Sequence, residues 1–171
     1  MAILKIRTYG DSILKKKVEP VLKIDSHIHK LVKDMIETLH NQHGVGLAAN
    51  QVGVDKKLCV IDTSRGERKK DILVLINPEI IKMEGKIIAE EGCLSFLNIT
   101  GEVERAKKVI VKATNLNGKD FEMEGVELLA RAFQHEIDHL NGILFIEHMK
   151  FLKRLSLNKQ LKELLRLTHG A

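Results

Sequence analysis

His135 and His139 stand four residues apart with Glu136 between them, in the segment Gln134-His135-Glu136-Ile137-Asp138-His139. On an α-helix that spacing is about one turn, so both imidazoles project from one face and can bind one cation. Upstream, Glu91-Gly92-Cys93-Leu94-Ser95 offers a thiol as third ligand, and Gly92 permits close backbone approach. Three protein ligands leave one position open to water, and a carboxylate beside that position is the arrangement for metal-assisted hydrolysis. Taken alone, the helix pattern also fits hydrogen-bonded core histidines with a solvated glutamate, or a zinc endopeptidase. An isolated cysteine is more often a core residue. It is the combination that points to a catalytic metal.

The helix carrying the histidines is predicted over residues 126–140, with Gly142 as its left-handed C-terminal stop. Its apolar residues, Val126, Leu128, Leu129, Ala130, Ala132, Phe133, Ile137 and Leu140, spread around the whole helix and predict burial. Polar groups buried there need partners, and a cation would supply one for the imidazoles. An N-terminal helix follows from Asp25 and Ser26 as caps and from Ile28, Leu31, Val32, Met35, Ile36 and Leu39 at helical spacing. It should stop at Gly44, with His40 and His43 capping its negative end. The glycine- and alanine-rich residues 44–53 are too apolar for an ordinary solvated loop. Short β segments are expected at 57–62, 72–77, 79–90, 103–114 and 121–125, with a charged loop at 64–71. Gly85 and Asn117-Gly118 mark tight reversals, which favours antiparallel pairing. A third helix is predicted over 150–167, with Leu152, Leu155, Leu161, Leu164 and Leu165 along its apolar side. The expected fold is α+β: antiparallel β-sheets packed around a buried central helix that carries the metal-binding histidines, plus an N-terminal helix and a C-terminal amphipathic helix.

A chain of 171 residues predicts a single domain over 1–171, with 150–171 as a basic C-terminal helix. The longest aliphatic run, residues 72–76, is far too short for a membrane span, and no apolar signal segment precedes Lys5 and Arg7. A soluble, intracellular protein is expected. Cys59, within Leu58-Cys59-Val60-Ile61, reads as a small buried apolar residue rather than half of a disulfide. The net charge of +5 resides in the tail: Lys150, Lys153, Arg154, Lys159, Lys162 and Arg166 face one acid, Glu163, and the rest of the chain balances.

Together these segments resemble the peptide deformylases. Gly44-Val45-Gly46-Leu47-Ala48-Ala49-Asn50-Gln51, Glu91-Gly92-Cys93-Leu94-Ser95 and Gln134-His135-Glu136-Ile137-Asp138-His139-Leu140-Asn141-Gly142 look like the three signature segments of that family, in its order and at family-like separations. Arg7-Thr8-Tyr9-Gly10-Asp11 and Asn77-Pro78-Glu79 extend the resemblance over residues 3–150. The histidine-glutamate motif is shared with unrelated metalloproteases; the trio is highly specific.

The resemblance implies a hydrolase that removes the N-formyl group from the formyl-methionine of newly synthesised polypeptides and releases formate. Cys93, His135 and His139 would ligate the metal, Fe(II) by family habit, with Zn(II), Ni(II) or Co(II) as possible substitutes. Glu136 would accept a proton from the attacking water and pass it to the leaving amine. The Gln51 side-chain amide and the Leu94 backbone N–H would stabilise charge on the formyl oxygen. Substrate would pair as an extended strand with the backbone near Val45 and Gly46, beside Gly92, and its methionine would enter an apolar pocket of Val45 and Leu128 with His135 at its edge. Glu91 and Asp138 are candidates to orient imidazoles or to pair with Arg105 or Arg131.

Phe96-Leu97-Asn98-Ile99-Thr100 departs from the family, where many relatives have a proline after the apolar residue and an arginine further on. Leu97 lacks the proline constraint and Thr100 cannot give a charge-assisted bond to the substrate backbone, so peptide affinity beyond methionine is what the departure touches. The basic C-terminal helix implies attraction to ribosomal RNA near the exit of nascent chains; an ordinary solvated helix is the alternative. A non-catalytic ribosome-binding protein with a structural metal is a third class of reading. The expected protein is a monomer without membrane contact, either cytoplasmic in a bacterium or the mature form of an organellar enzyme.

Overall fold

Leu58–Ile61 is an uninterrupted apolar run because both of its faces are covered. In the computed structural model, which describes residues 2–67 and 72–169, Cys59 and Ile61 point into one core and Leu58 and Val60 into another. This strand, β2, belongs to a five-stranded antiparallel sheet with β1 (Gly46–Ala48), β3 (Leu73–Glu84), β6 (Lys108–Thr114) and β7 (Asp120–Val126), in the order β1-β2-β3-β6-β7. A second sheet pairs β4 (Ile87–Gly92) with β5 (Thr100–Arg105), also antiparallel.

Helix α1 (Ser26–Asn41) starts where the Asp25 carboxylate accepts from the His27 and Ile28 N–H groups, at 3.0 and 3.1 Å. Its apolar stripe of Ile28, Val32, Met35 and Leu39 packs on Leu47, Leu58, Val60 and Ile76. On the opposite face lies α2 (Glu127–Leu140), whose Ala130, Phe133, Ile137 and Leu140 meet Ala48, Cys59, Leu75, Val109 and Val111. Gly142, at φ 75°, closes this helix in the left-handed conformation expected of it.

The α+β class and antiparallel pairing hold, while several details differ from the expectation. Residues 46–48 form a strand that sequence alone did not reveal, because three residues carry too little period-2 signal. Residues 73–84 are one strand, with a register shift between Ile76 and Glu79 at Pro78. Proline is tolerated there because β2 ends opposite Ile76, so no ladder bond on that side is lost. Gly85 does turn the chain, at φ 66°, but the strands around it do not pair with each other; β4 leaves for the second sheet. Asn117-Gly118 does join a hairpin, β6 to β7. The run predicted at 103–114 is split between the two sheets at Ala106 and Lys107. Of the predicted loop 64–71, residues 68–71 lie outside the described residues.

His40 is not a cap. Its Nε2 lies 2.8 Å from Oδ2 of Asp62, which also accepts from the Ser64 hydroxyl and the Ser64 and Gly66 N–H groups. Burial acts to raise the Asp62 pKa, but these bonds outweigh it and hold the carboxyl below its usual range.

The predicted C-terminal helix is two: α3 (Phe151–Ser156) and α4 (Asn158–His169). The Ser156 hydroxyl donates to the Lys153 carbonyl at 2.6 Å, a local bond that competes with continued helix. Leu161 and Leu164 of α4 are buried against Leu14, Phe96 and Phe145, whereas Leu152 and Leu155 of α3 are 77% and 50% exposed. The leucine stripe therefore packs only in its second half. Among the described residues no helix is long and apolar enough to cross a membrane.

Candidate metal centre

Three separate segments must converge to bring Cys93 to the two histidines, and main-chain and amide hydrogen bonds hold them. The N-terminal segment bridges two of them: Arg7 N–H donates to the Gln51 carbonyl at 2.7 Å and Tyr9 N–H to the Ser95 carbonyl at 2.8 Å. The Asn50 side-chain amide donates to the His139 carbonyl, joining the first segment to α2. Gln134 uses both ends of its amide on Ala106, accepting from its N–H and donating to its carbonyl, each at 2.9 Å. That pair fixes α2 to the break between β5 and β6. The residue ahead of His135 is therefore a structural clamp.

Within this frame the Cys93 thiol and one ring nitrogen each of His135 and His139 lie within 4.8 Å of one another. Cys93 Sγ is 3.1 Å from His139 Nε2. On its other side, Gln51 Nε2 is 3.4 Å from the same sulfur and 3.2 Å from the Ser95 hydroxyl, while Gln51 Oε1 accepts from the Ala48 N–H at 2.9 Å. The amide thus satisfies a loop N–H with one end and turns the other toward the thiol.

Glu136 is 3% exposed, and among the described residues neither its Oε2 nor the buried His139 Nδ1 has a hydrogen-bond partner. Burial raises the Glu136 pKa to about 7, with His135 and Arg105 working against the rise. Burial also holds His139 neutral, well below its usual value. Burial opposes charge on His135 too, but hydrogen bonds to Cys93 and Glu91 outweigh it and push its pKa up. A soft thiolate with two imidazoles, next to an orphaned buried carboxylate oxygen, is a donor set that fits a divalent transition metal.

Behind His135 stands a buried ion network. Its Nδ1 is 3.1 Å from Glu91 Oε2, and Arg105 donates Nε and Nη2 to the two Glu91 oxygens at 3.1 Å each. Arg105 Nη1 reaches Asp138, which also contacts His148 Nε2 at 2.8 Å. Burial acts to raise the Glu91 pKa, yet His135 and Arg105 hold it at about 2. Of the two arginines considered from sequence, Arg105 takes both carboxylates. Arg131 instead donates to the Glu90 carbonyl at 3.2 Å.

The centre opens into a cleft lined by Val45, Gly46, Gln51, Gly92, Cys93, Leu94, Leu128, His135 and Glu136. Leu128 is 40% exposed, so the first turn of α2 is not buried as expected; it borders the cleft. Strand β1 is the sheet's edge, and Gly46, in phase with Ala48, faces α2. A Cβ at Gly46 would lie 2.7 Å from Glu136 Cδ. His43, Arg65 and Arg131 also border the cleft. The sequence singled out none of the three for it, since turn and helix-surface cations are commonplace. In the departing loop, Phe96 and Ile99 are buried and Phe96 stacks near Tyr9 and Phe145, at ring separations of 5.0 Å. Leu97, at the proline position between them, is 55% exposed.

The polypeptide deformylase family model matches residues 3–155. A peptide deformylase of Thermodesulfovibrio yellowstonii is 52% identical over 162 residues, covering 95% of this chain and 98% of that protein. The crystal structure of a peptide deformylase from Legionella pneumophila superposes with a TM-score of 0.90 at 43% identity, over 99% of both chains. That of Plasmodium falciparum peptide deformylase gives 0.94 at 33% identity, over 98% of both. With half the residues shared over nearly full length, the chain belongs to the peptide deformylase family, enzymes that remove the N-formyl group from nascent polypeptides.

Proposed function

We propose that this family member, acting as one catalytic domain over residues 1–171, hydrolyses the formyl amide of formyl-methionyl nascent chains with Cys93, His135 and His139 as metal ligands. The observation that carries this reading is the orphaned Glu136 carboxylate beside three donor atoms within 4.8 Å of one another. A cation bound there supplies Lewis-acid polarisation of water and of the formyl oxygen. Glu136, with its pKa lifted by burial, accepts a proton from the water whose oxygen adds to the formyl carbon and delivers it to the methionine nitrogen as the C–N bond breaks, leaving a free amine and formic acid, which ionises to formate. Gln51 Nε2 and the Leu94 N–H stabilise the developing oxyanion. The Glu91 carboxylate fixes the His135 ring through Nδ1.

The free edge of β1 suits an extended peptide paired at Val45 and Gly46 and passing Gly92, with methionine against Val45 and Leu128. Fe(II) is the proposed native metal, and metal analysis of protein purified without oxygen checks it. The decisive assay follows formate release from formyl-Met-Ala-Ser by Fe(II)-loaded protein under anaerobic conditions, beside cleavage of N-blocked peptides. Peptide-bond cleavage without formate would overturn the reading in favour of an endopeptidase.

Gly46→Ala should cost about 10²-fold in kcat/KM, because its Cβ displaces Glu136. Metal content should stay at the wild-type level. Activity within threefold of wild type would remove Gly46 from its proposed role.

We further propose a monomer in the bacterial cytoplasm whose residues 150–171 meet ribosomal RNA. Lys153 and Arg154 of α3 stand beside exposed Phe151, Leu152 and Leu155. Sedimentation with ribosomes at low salt should be lost when 150–171 are removed and should weaken steeply with added salt. Undiminished binding by the truncated chain would end this proposal.

A further inference from the structure

Two guanidinium groups border the cleft, those of Arg65 and Arg131, and among the described residues neither forms an ion pair. Arg131 lies one turn before His135 on α2, so both side chains leave the same helix face. One N–H of its guanidinium reaches the Glu90 carbonyl, and its buried Nε has no partner among the described residues. The Glu90 carboxylate, which accepts from the Thr100 hydroxyl at 2.8 Å, lines the same cleft, so its negative charge stands there against the two guanidinium groups. Arg131 is thus anchored with most of its donors unused.

Arg65 is placed by different means. It sits in the turn that the Asp62 carboxylate clamps, at φ 53°, and is exposed. Asp62 follows β2 directly, and its N–H donates to the Val45 carbonyl at 2.8 Å. The turn carrying Arg65 is therefore tied to the segment along which an extended substrate is proposed to lie.

We infer that Arg65 and Arg131 read the charge of the residues following formyl-methionine, favouring nascent chains with Asp or Glu there and disfavouring Lys or Arg. The inference rests on the deformylase reading for the identity of the peptide, and on the two unpaired cations for its chemistry. Positive charge at the mouth of a cleft raises the local concentration of acidic segments and repels basic ones. Each half-exposed contact is worth a modest factor, so the pair should give about a tenfold preference at low salt. Ionic strength should erase most of it.

The test compares formyl-Met-Glu-Glu-Ala, formyl-Met-Ala-Ala-Ala and formyl-Met-Lys-Lys-Ala on metal-loaded protein, by formate release and by calorimetric titration of binding. Wild type should favour the glutamate peptide over the lysine peptide about tenfold, through KM and Kd, and the ratio should fall toward one in 0.5 M salt. Arg131→Gln and Arg65→Gln should each lower the ratio, and the double variant should bring it to about one. A wild-type ratio near one, or a ratio undiminished in the double variant, overturns the inference. Should no peptide release formate, the deformylase reading fails by itself, and the titration still decides whether these arginines select charge.

Discussion

Glu136→Gln should abolish most turnover while leaving the metal in place. The substitution keeps the size and one hydrogen-bonding oxygen of the side chain but removes the group able to take and return a proton. Loss of a positioned acid/base costs about 10²–10⁴-fold in kcat, and the enclosure of Glu136 argues for the upper part of that range. The amide would also place a neutral group where an unpartnered oxygen now sits, so binding of formyl-methionyl peptide should be retained or tightened. Steady-state kinetics with metal analysis on the same sample separates these effects. A variant with full metal and kcat within tenfold of wild type would show that the proton moves by another route.

The largest effect on stability is expected at Arg105, which is 5% exposed. Arg105→Met preserves much of the volume but leaves Glu91 without its bidentate partner and Asp138 without the buried guanidinium it pairs with. Removing one member of a buried ion network costs about 3–5 kcal/mol, because the remaining charges keep their desolvation penalty. For a chain of this length that is a fall in melting temperature of about 10 °C. The same variant should weaken metal binding about 10–100-fold, since Glu91 would no longer hold the His135 ring in one orientation. Urea unfolding of the metal-free protein measures the first effect, and competition with a chelator measures the second. A loss below about 1 kcal/mol would mean that water replaces the guanidinium without difficulty.

The residues of the candidate site were legible in the sequence because they lie in short segments where residue type and spacing suffice. A four-residue interval on a helix dictates that His135 and His139 share a face whatever surrounds them. The α+β class was legible for a similar reason: local periodicity and turn residues report whether a segment is helix or strand, as Asp25 does for α1 and Asn117-Gly118 for the β6–β7 hairpin. Even the apolar run of β2 announces burial, though not which helix covers which face.

Other features depended on partners distant in the chain. That Gly46 faces Glu136, where a Cβ would collide, depends on its strand pairing with β2 and is not visible in its own segment. Neither of Gln134's bonds to Ala106 is encoded within its own segment, and His40 looked like a helix cap because Asp62 is 22 residues away. Arg105, and not Arg131, meets Glu91 because the two share the buried face of the β4–β5 pair: Glu91 stands opposite Gly101 and Arg105 opposite Ile87, positions an even number of residues apart. Arg131 was thereby left to the cleft. By itself, then, the sequence determined the three candidate donor residues, the helix that presents two of them and the class of fold, all of which depend on neighbours a few residues apart. Tertiary structure alone decided which carboxylate lies buried beside the donor atoms, which arginine is buried and which borders the cleft, because burial and pairing are set by side chains that the fold, and not the chain order, makes adjacent.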